Sequence, residues 1–572
     1  MTKKDKLNII DKERYDFMNK KISKFDFKKI CFILSIIGLT LTLIYIFKTS
    51  TCILTSDSVI TDVLAHEQKM NKQFLLKNWY YGNEFWFFSL SIPTFLLSFF
   101  MSNQILIRQI SVLMTAIIFF FILYKYGKKF LNKKDIWILI AIFISGVSYS
   151  ILDYFYAFNA YLTVVINSML LLFMYFKSFE EENSKKIYYI LGLVFTFLFN
   201  MGSLRYLPSV VLPFILTECF FIVFDNLKAK NVKEVIFKNT KIKKLIFVFL
   251  IVICAFCTYK LLTINVNFEA RASDTEYTKL EMKSIRSGTN AIFECIFNFF
   301  GYDNQNHPNV FMMTSDYFLE QHKQFSLLSA RGIAYTIKFV ISIIFMIVTP
   351  ITLFKKFKKH DRKIQFLIVF NTVSWIMMVY SYLFMDGFFY NSSELKYFIF
   401  NIILNIILGI YCIFKFYAVK PVTKLIFQLL LIFYVIANIY QTSVIIIEHD
   451  QKALDRRYEL VNVLKENNLT FGYADFWDGL MTYYLSNYKI TTVSVITDDK
   501  VSSYRWYSDK RWYDSGYHNG KTFLALNSNG RLFKDFYKMH YGNPIQYLFI
   551  IKILLIKYLK KNSTLKKVCC FV

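Results

Sequence analysis

The chain has 572 residues, of which 55% are hydrophobic and 19% aromatic, and its mean hydropathy is +0.37. A soluble protein of this length would carry far fewer aromatic residues than the 63 Phe and 40 Tyr found here, so the composition excludes a soluble globular protein and predicts a polytopic α-helical membrane protein. The net charge of +28 does not indicate a nucleic-acid partner, because the Lys and Arg residues fall in short clusters between apolar segments.

The first outer loop is the most acidic and aromatic part of the N-terminal region. The basic segment 1–29 is predicted to be cytoplasmic, and the first span to cover residues 30–47, so that the loop 48–104 lies outside. Within it, residues 85–100 are apolar but interrupted by Pro93 and shorter than the roughly 20 residues that a span needs. This stretch is predicted to be an interfacial or re-entrant helix.

Lysine clusters fix the direction of the later crossings, because positively charged loops remain on the cytoplasmic side. Placing every cluster inside predicts about eleven spans within a transmembrane domain, 30–447, and puts a second long loop, 264–331, outside. The spans after the first are predicted near 105–124, 136–152, 161–176, 187–201, 207–224, 245–263, 333–354, 364–384, 397–414 and 425–447.

Residues 448–545 have the pattern of a soluble domain. Predicted elements alternate as helix, strand, helix and strand, which indicates a small extracytoplasmic α/β module at the C-terminus. The tail 546–572 is apolar and basic. Its apolar part is interrupted by Lys552 and Lys557, and three interpretations remain open: a twelfth span, an interfacial helix or a strand of the module.

Four charged residues at the predicted outer boundary are the best candidates for chemistry, since a charge at membrane level is costly and indicates function. They are Asp57, Asp153, Arg205 and Lys396. Transfer of a sugar from a lipid phosphate needs a carboxylate to accept the proton of the acceptor hydroxyl, and cations to stabilise the departing phosphate. The two acids would be catalytic and the two cations would bind the phosphate.

Each candidate also has a structural interpretation. Asp57 could cap a helix, Asp153 could mark the membrane boundary, Arg205 could form an ion pair, and Lys396 could extend from the bilayer to the interface. His66 follows Asp62 by four residues, which suits a metal pair or, more often, a contact on a helix surface. No metal site is predicted.

Aromatic and polar residues outside the membrane are candidates for acceptor or sugar binding. Trp79 and Tyr80 lie in the first outer loop, His307 in the second, and Trp477 and Trp506 in the C-terminal module. Aromatic faces stack on sugar rings, but Trp and Tyr also form ordinary cores, and a polar loop is often only solvated. No P-loop, dinucleotide-binding or zinc-ligand spacing occurs, so no cofactor is predicted.

Short motifs resemble those of bacterial integral-membrane glycosyltransferases of the GT-C fold, which use polyprenyl-phosphate-linked sugars. The matching features are the acid Asp57 in the first outer loop, Asp153 at the outer end of the third span, and the turn GSLRYLPSVVLP. The segment ELKYF, with Lys396 and Tyr397, resembles a basic-Tyr pair that opens a late span in this family. FGYADFWDGLMTYYLSN resembles a segment of its C-terminal module. Ser58 follows Asp57 where many relatives carry a second acid.

The resemblance implies transfer, with inversion, of a sugar from a polyprenyl-phosphate donor to an extracytoplasmic glycan, lipid or protein acceptor in the bacterial cell membrane. It assigns Arg205, Lys396 and Tyr397 to the donor phosphate and requires no nucleotide. Two other functions stay open at this point: a flippase or transporter for lipid-linked glycans, and a non-catalytic protein of cell-envelope assembly.

Overall fold

The computed structural model describes most of the chain as α-helices. It covers residues 26–82, 84–86, 91–180, 186–226, 240–265, 267–268, 282–301, 328–384, 392–448, 453–497, 501–526, 546–550 and 553–558. Within these ranges, nine helices are long and apolar enough to cross a membrane. They are Phe27–Cys52, Gln104–Phe130, Ala160–Phe179, Leu207–Asp225, Thr240–Ile264, Ala330–Lys355, Arg362–Phe384, Ile399–Tyr417 and Pro421–Glu448.

The prediction of eleven or twelve spans is not confirmed. The predicted third span is a pair of helices, Ile136–Ile144 and Tyr149–Ala157, that meet at 86°, and counting the pair as one crossing gives ten spans in the described residues. The predicted fifth span is a shorter apolar helix, Lys186–Gly202. A multi-pass helical membrane protein is nevertheless what the structure shows.

The bend between these two helices is stabilised by side chains from distant spans. The hydroxyl of Thr442 donates to the carbonyl of Ser145 at 2.8 Å, and the ammonium of Lys338 donates to the carbonyl of Val147 at 2.8 Å. Lys338 is fully buried and also donates to the Gln441 side-chain oxygen. Backbone groups freed by a break inside a membrane must find protein partners, and these contacts supply them.

Gly146 lies inside the bend, and it should not tolerate a side chain. Its φ of +77° is in the left-handed region, and an added Cβ would lie 2.4 Å from the Thr442 hydroxyl oxygen. We expect Gly146→Ala to destabilise the protein by about 1–3 kcal/mol, measured as a lower thermal unfolding temperature in detergent. Gly202→Ala is the matched control, since its Cβ would meet no atom within 4 Å. Equal unfolding temperatures for the two variants would contradict this account.

One side of the bundle, here called the loop face, carries the first long loop and the C-terminal module. The loop contains the helix Ser56–Asn71, a strand, Trp79–Tyr81, and a short helix, Ser91–Leu97. This last helix is where the sequence predicts an interfacial segment over residues 85–100. A second hydrophobic core, separate from that of the spans, joins this loop to the module.

A six-stranded sheet forms the C-terminal module together with the helices Ala453–Glu466 and Phe476–Leu485. Strand Phe471–Ala474 pairs in parallel with Thr491–Thr497 and Thr522–Leu526, and the second helix connects the first two of these strands. The other strands are Val501–Ser503, Gln546–Ile550 and Ile553–Tyr558. The last two lie in the apolar tail, so the tail contributes strands to the sheet.

A three-stranded sheet connects distant parts of the loop face. Strand Trp79–Tyr81 pairs in parallel with Asn267–Phe268 and antiparallel with Ser508–Asp509. The first loop, the segment after the span Thr240–Ile264 and the module are thereby joined by backbone hydrogen bonds.

Candidate active site

Asp57 lies in the first turn of the helix Ser56–Asn71, and its side chain is exposed. It is not the helix cap. Thr55 occupies that position, and its backbone N–H donates to the Ser58 hydroxyl at 2.8 Å. The Ser56 hydroxyl contacts the carbonyls of Phe476 and Trp477, both at 2.7 Å, so the start of this helix is fixed against the module. The carboxylate of Asp57 is therefore held at a defined point without serving as the cap.

Arg205 forms an ion pair with Glu84 of the first loop. Its Nε donates to Glu84 Oε1 at 2.7 Å and its Nη2 donates to the same oxygen; the two side chains are only 13% and 14% exposed. Burial acts to lower the pKa of Arg205, but Glu84 together with Tyr397, Tyr161 and Tyr206 outweighs burial, and the pKa lies above its usual range. The remaining nitrogen, Nη1, is buried with no hydrogen-bond partner among the described residues. The guanidinium thus keeps unused donors.

Three aromatic rings surround the Arg205 guanidinium. Its central carbon lies 5.4 Å from the ring centre of Trp86, 5.8 Å from Tyr161 and 5.5 Å from Tyr397. Cations over aromatic faces are stabilised electrostatically, most strongly where water is excluded. The rings hold the cation in a fixed position at the end of the bundle.

Lys396 shares two of these rings. Its ammonium lies 5.7 Å from the ring centre of Tyr161 and 5.3 Å from Tyr397, and 3.9 Å from the Glu394 carboxylate. Burial raises the pKa of Tyr397 to about 12, although Lys396 and Arg205 both act to lower it. The two cations predicted to act together, Arg205 and Lys396, therefore converge on the same pair of tyrosines.

Tyr507 connects this cluster to the module. Trp86 Nε1 donates to the Tyr507 hydroxyl at 2.8 Å. Burial raises the pKa of Tyr507, its bond from Trp86 lowers it, and the charges of Glu84 and Asp57 raise it further. Gly82 permits the approach of Tyr507, because a Cβ there would lie 2.6 Å from the Tyr507 ring.

Asp153 begins the helical turn Asp153–Ala157, at the end of the bent helix pair, and is half-buried. The next residue, Tyr154, contacts the Tyr161 ring at 5.3 Å between centroids. Asp153 is therefore adjacent in sequence to a residue whose ring packs against the cation cluster.

The predicted sugar-binding residues differ in their exposure. Trp79 and Tyr80 are 1% and 6% exposed and pack edge-on against Trp512 and Tyr513, so their rings belong to the second core. Trp477 is 57% exposed beside the start of the Asp57 helix, and Trp506 is half-buried next to Tyr507. His307 lies outside the described residues.

Sequence reasoning missed Trp86, Tyr161 and Tyr507 as parts of the site. Nothing in the local pattern distinguishes these aromatics from dozens of others. The only clue is that Glu84 and Trp86 stand in the acidic, aromatic first loop.

His66 and Asp62, four residues apart on one helix, each contact partners elsewhere in the structure. Asp62 forms a buried ion pair with Arg108, and His66 stacks on Tyr488 at 3.5 Å between ring centres. In the described part of the chain, no group of three His, Cys, Asp or Glu side chains could hold a metal ion.

Comparison with solved structures identifies the architecture. ArnT from Cupriavidus metallidurans bound to undecaprenyl phosphate matches with a TM-score of 0.50 and 9% identity, over 92% of this chain and 98% of that one. The apo state of ArnT gives 0.50 and 7%, over 91% and 97%. The chain has the GT-C fold. The apo oligosaccharyltransferase of Archaeoglobus fulgidus scores lower, at 0.46 with 10% identity, over 91% of this chain and 71% of that one.

Comparisons of the sequence alone find no relative. No family model matches the chain, and no curated protein matches it significantly. The fold predicted from the short motifs is thus confirmed by the three-dimensional similarity and not by sequence similarity.

The Glu84–Arg205 pair should contribute strongly to stability. Glu84→Gln keeps the size of the side chain but removes the charge that compensates a nearly buried guanidinium. We expect it to cost about 2–4 kcal/mol, measured by thermal unfolding in detergent. The control is Glu448→Gln, which removes a carboxylate that pairs with Arg331 but is 64% exposed, and such surface pairs contribute about 0–1 kcal/mol. If both variants lost the same stability, Glu84 would have no special role in holding Arg205.

Proposed function

We propose that the protein is an inverting glycosyltransferase that moves a sugar from a polyprenyl-phosphate donor to an extracytoplasmic acceptor. The observation that carries this proposal is the convergence of Arg205 and Lys396 on Tyr161 and Tyr397 at one end of the spans, with Arg205 Nη1 buried and unpaired among the described residues. The structural similarity to ArnT bound to undecaprenyl phosphate agrees with a lipid-phosphate ligand.

The donor phosphate would bind to the two cations. Arg205 has free donors in a planar fork, which matches phosphate oxygens well, and Lys396 adds a second positive charge. Tyr397 lies between the two cations, and its hydroxyl would donate a further hydrogen bond. As the bond between the sugar and the phosphate breaks, these groups stabilise the negative charge on the leaving polyprenyl phosphate.

Asp57 would act as the general base. The acceptor hydroxyl oxygen attacks the anomeric carbon, the bond from that carbon to the phosphate oxygen breaks, and the bonding electrons leave with the phosphate. The hydroxyl proton passes to the Asp57 carboxylate. A single displacement of this kind inverts the anomeric centre. Asp153, which precedes Tyr154, would orient the donor sugar or the base.

The acceptor would approach from the module. Trp477 is exposed beside the first turn that carries Asp57, so a sugar ring stacked on this indole would present its hydroxyl to the base. Trp506 would extend this surface towards Tyr507. The buried Trp79 and Tyr80 would support the site as part of the core beneath it.

The proposed site would lie on the extracytoplasmic side of the bacterial cell membrane, with the N-terminus in the cytoplasm, as the lysine clusters predict. This orientation is part of the proposal. It requires that the acceptor be a glycan, lipid or protein of the cell envelope.

Arg205→Ala should weaken binding of undecaprenyl phosphate about 10- to 100-fold, since it removes charge-assisted hydrogen bonds. Binding is measured as the concentration dependence of thermal stabilisation in detergent. Arg362→Ala is the control: this Arg is half-exposed, pairs with Asp225, and lies at the opposite end of the spans. Equal affinities of the two variants for the lipid would remove Arg205 from the phosphate site.

Asp57→Asn should abolish transfer but leave donor binding intact. We expect a rate lower by about 10²–10⁴, because the amide cannot accept a proton. Release of undecaprenyl phosphate is measured in membranes that contain the natural acceptors, with a panel of undecaprenyl-phosphate pentoses and hexoses. Asp514→Asn, which alters a carboxylate in a turn of the module, is the control. Undiminished transfer by Asp57→Asn would disprove its role as base.

A further inference from the structure

A second cavity opens on the side of the Ser56–Asn71 helix that faces away from Asp57. Its volume is about 510 Å³. At roughly 100° per residue, His66 stands half a turn round the helix from Asp57, and His66 and Lys69 share one face. The cavity is closed by the segment 98–104 and by Asn487 and Tyr488 of the module. It is therefore separate from the site described above.

The position of the cavity relative to the bilayer follows from its walls. Gln104 and Ile107 line it and also begin the span Gln104–Phe130, so it lies at the membrane boundary of the loop face. Beside it, Leu96, Phe99 and Phe100 are 55%, 56% and 84% exposed. Such a cluster of exposed apolar side chains at the end of a span is suited to contact with lipid chains.

The polar groups of the cavity are arranged to receive an anion. The Lys69 ammonium donates one hydrogen bond, to the carbonyl of Ser98 at 2.6 Å, and lies 5.2 Å from the Phe99 ring. It has no carboxylate partner among the described residues, and two of its N–H groups remain for a ligand. The one acid in the wall, Asp62, is neutralised by its ion pair with Arg108. The cavity thus carries one net positive charge.

Neighbouring residues supply further neutral donors. His66 stacks on Tyr488, and burial, together with the charge of Lys69, lowers the pKa of His66 to about 4, so its ring is neutral at pH 7 and keeps one N–H. The side-chain oxygen of Asn487 accepts a hydrogen bond from the Gln104 amide. This bond does not use the amide N–H groups of Asn487, which can donate to a ligand. Each of these residues lines the cavity.

From this arrangement we propose that the cavity binds the phosphate headgroup of an anionic phospholipid from the adjacent leaflet. Lys69, His66 and Asn487 contact the phosphate and the polar headgroup, and the acyl chains lie against Leu96, Phe99 and Phe100. One positive charge matches one phosphodiester charge. A neutral sugar would leave the Lys69 charge without a partner and would not account for the exposed apolar wall.

The occupied cavity would stabilise the helix that carries Asp57, because the lipid contacts the opposite face of that helix and joins it to the segment 98–104. The inference does not depend on the proposed sugar transfer. It concerns a different ligand and a different face of the helix, and its test is a binding measurement.

The test uses native mass spectrometry of the purified full-length protein with phosphatidylglycerol and phosphatidylcholine at equal concentration. We expect the wild type to retain phosphatidylglycerol preferentially, and Lys69→Gln to lose about tenfold in affinity for it. Lys69→Arg should retain the preference. Lys465→Gln, an exposed lysine of the module, is the control and should behave as the wild type.

Two results would overturn the proposal. One is a preference for phosphatidylglycerol that is unchanged in Lys69→Gln, provided that this variant and the wild type unfold at the same temperature in phosphatidylcholine. The other is displacement of the lipid by soluble glycerophosphate at the same concentration, since the apolar wall would then contribute nothing. Loss of sugar transfer with an unchanged preference for phosphatidylglycerol would count against the proposed enzymatic function and not against the lipid site.

Discussion

The placement of one guanidinium, that of Arg205, determines how the parts of the molecule meet. A cation with so little exposure needs compensation, and the structure brings it from three distant segments: Glu84 and Trp86 in the first loop, Tyr161 at the start of one span, and Tyr397 before another. Since no single helix could supply this shell, the spans and the loop face must assemble together around the cation.

The helix Ser56–Asn71 is the second organising element, because it is bound on several sides by the module. Ser56 contacts the carbonyls of Phe476 and Trp477, the Tyr483 hydroxyl donates to Glu67, and the Tyr488 hydroxyl donates to the carbonyl of Asp62. The first loop and the module, some 400 residues apart in sequence, therefore form one structural layer with a shared core. Its two faces carry the proposed base and the proposed lipid site.

Much of this architecture can be predicted from the sequence. Each span must be apolar to cross the bilayer, and lysine clusters mark the loops between spans. The bend at Gly146 cannot be predicted, since its carbonyls accept hydrogen bonds from Lys338 and Thr442, which lie 191 and 297 residues further along the chain. The charged candidates Asp57, Arg205 and Lys396 stand out for the cost of a charge at that depth. Tyr161 and Tyr507 do not stand out, because aromatic residues are abundant in this chain and only the folded structure shows which of them lie beside the charged residues. The functional roles of all these residues remain predictions.

The contacts of Ser56 with the module have a consequence for how such proteins diversify. Among the described residues, the partners of the hydroxyl next to Asp57 are two backbone carbonyls of the module. A backbone carbonyl is supplied by any amino acid, so a change of the side chain at position 477 leaves this contact of Ser56 in place. The exposed side chain proposed to meet the acceptor can thus vary while the contact beside the proposed base is kept.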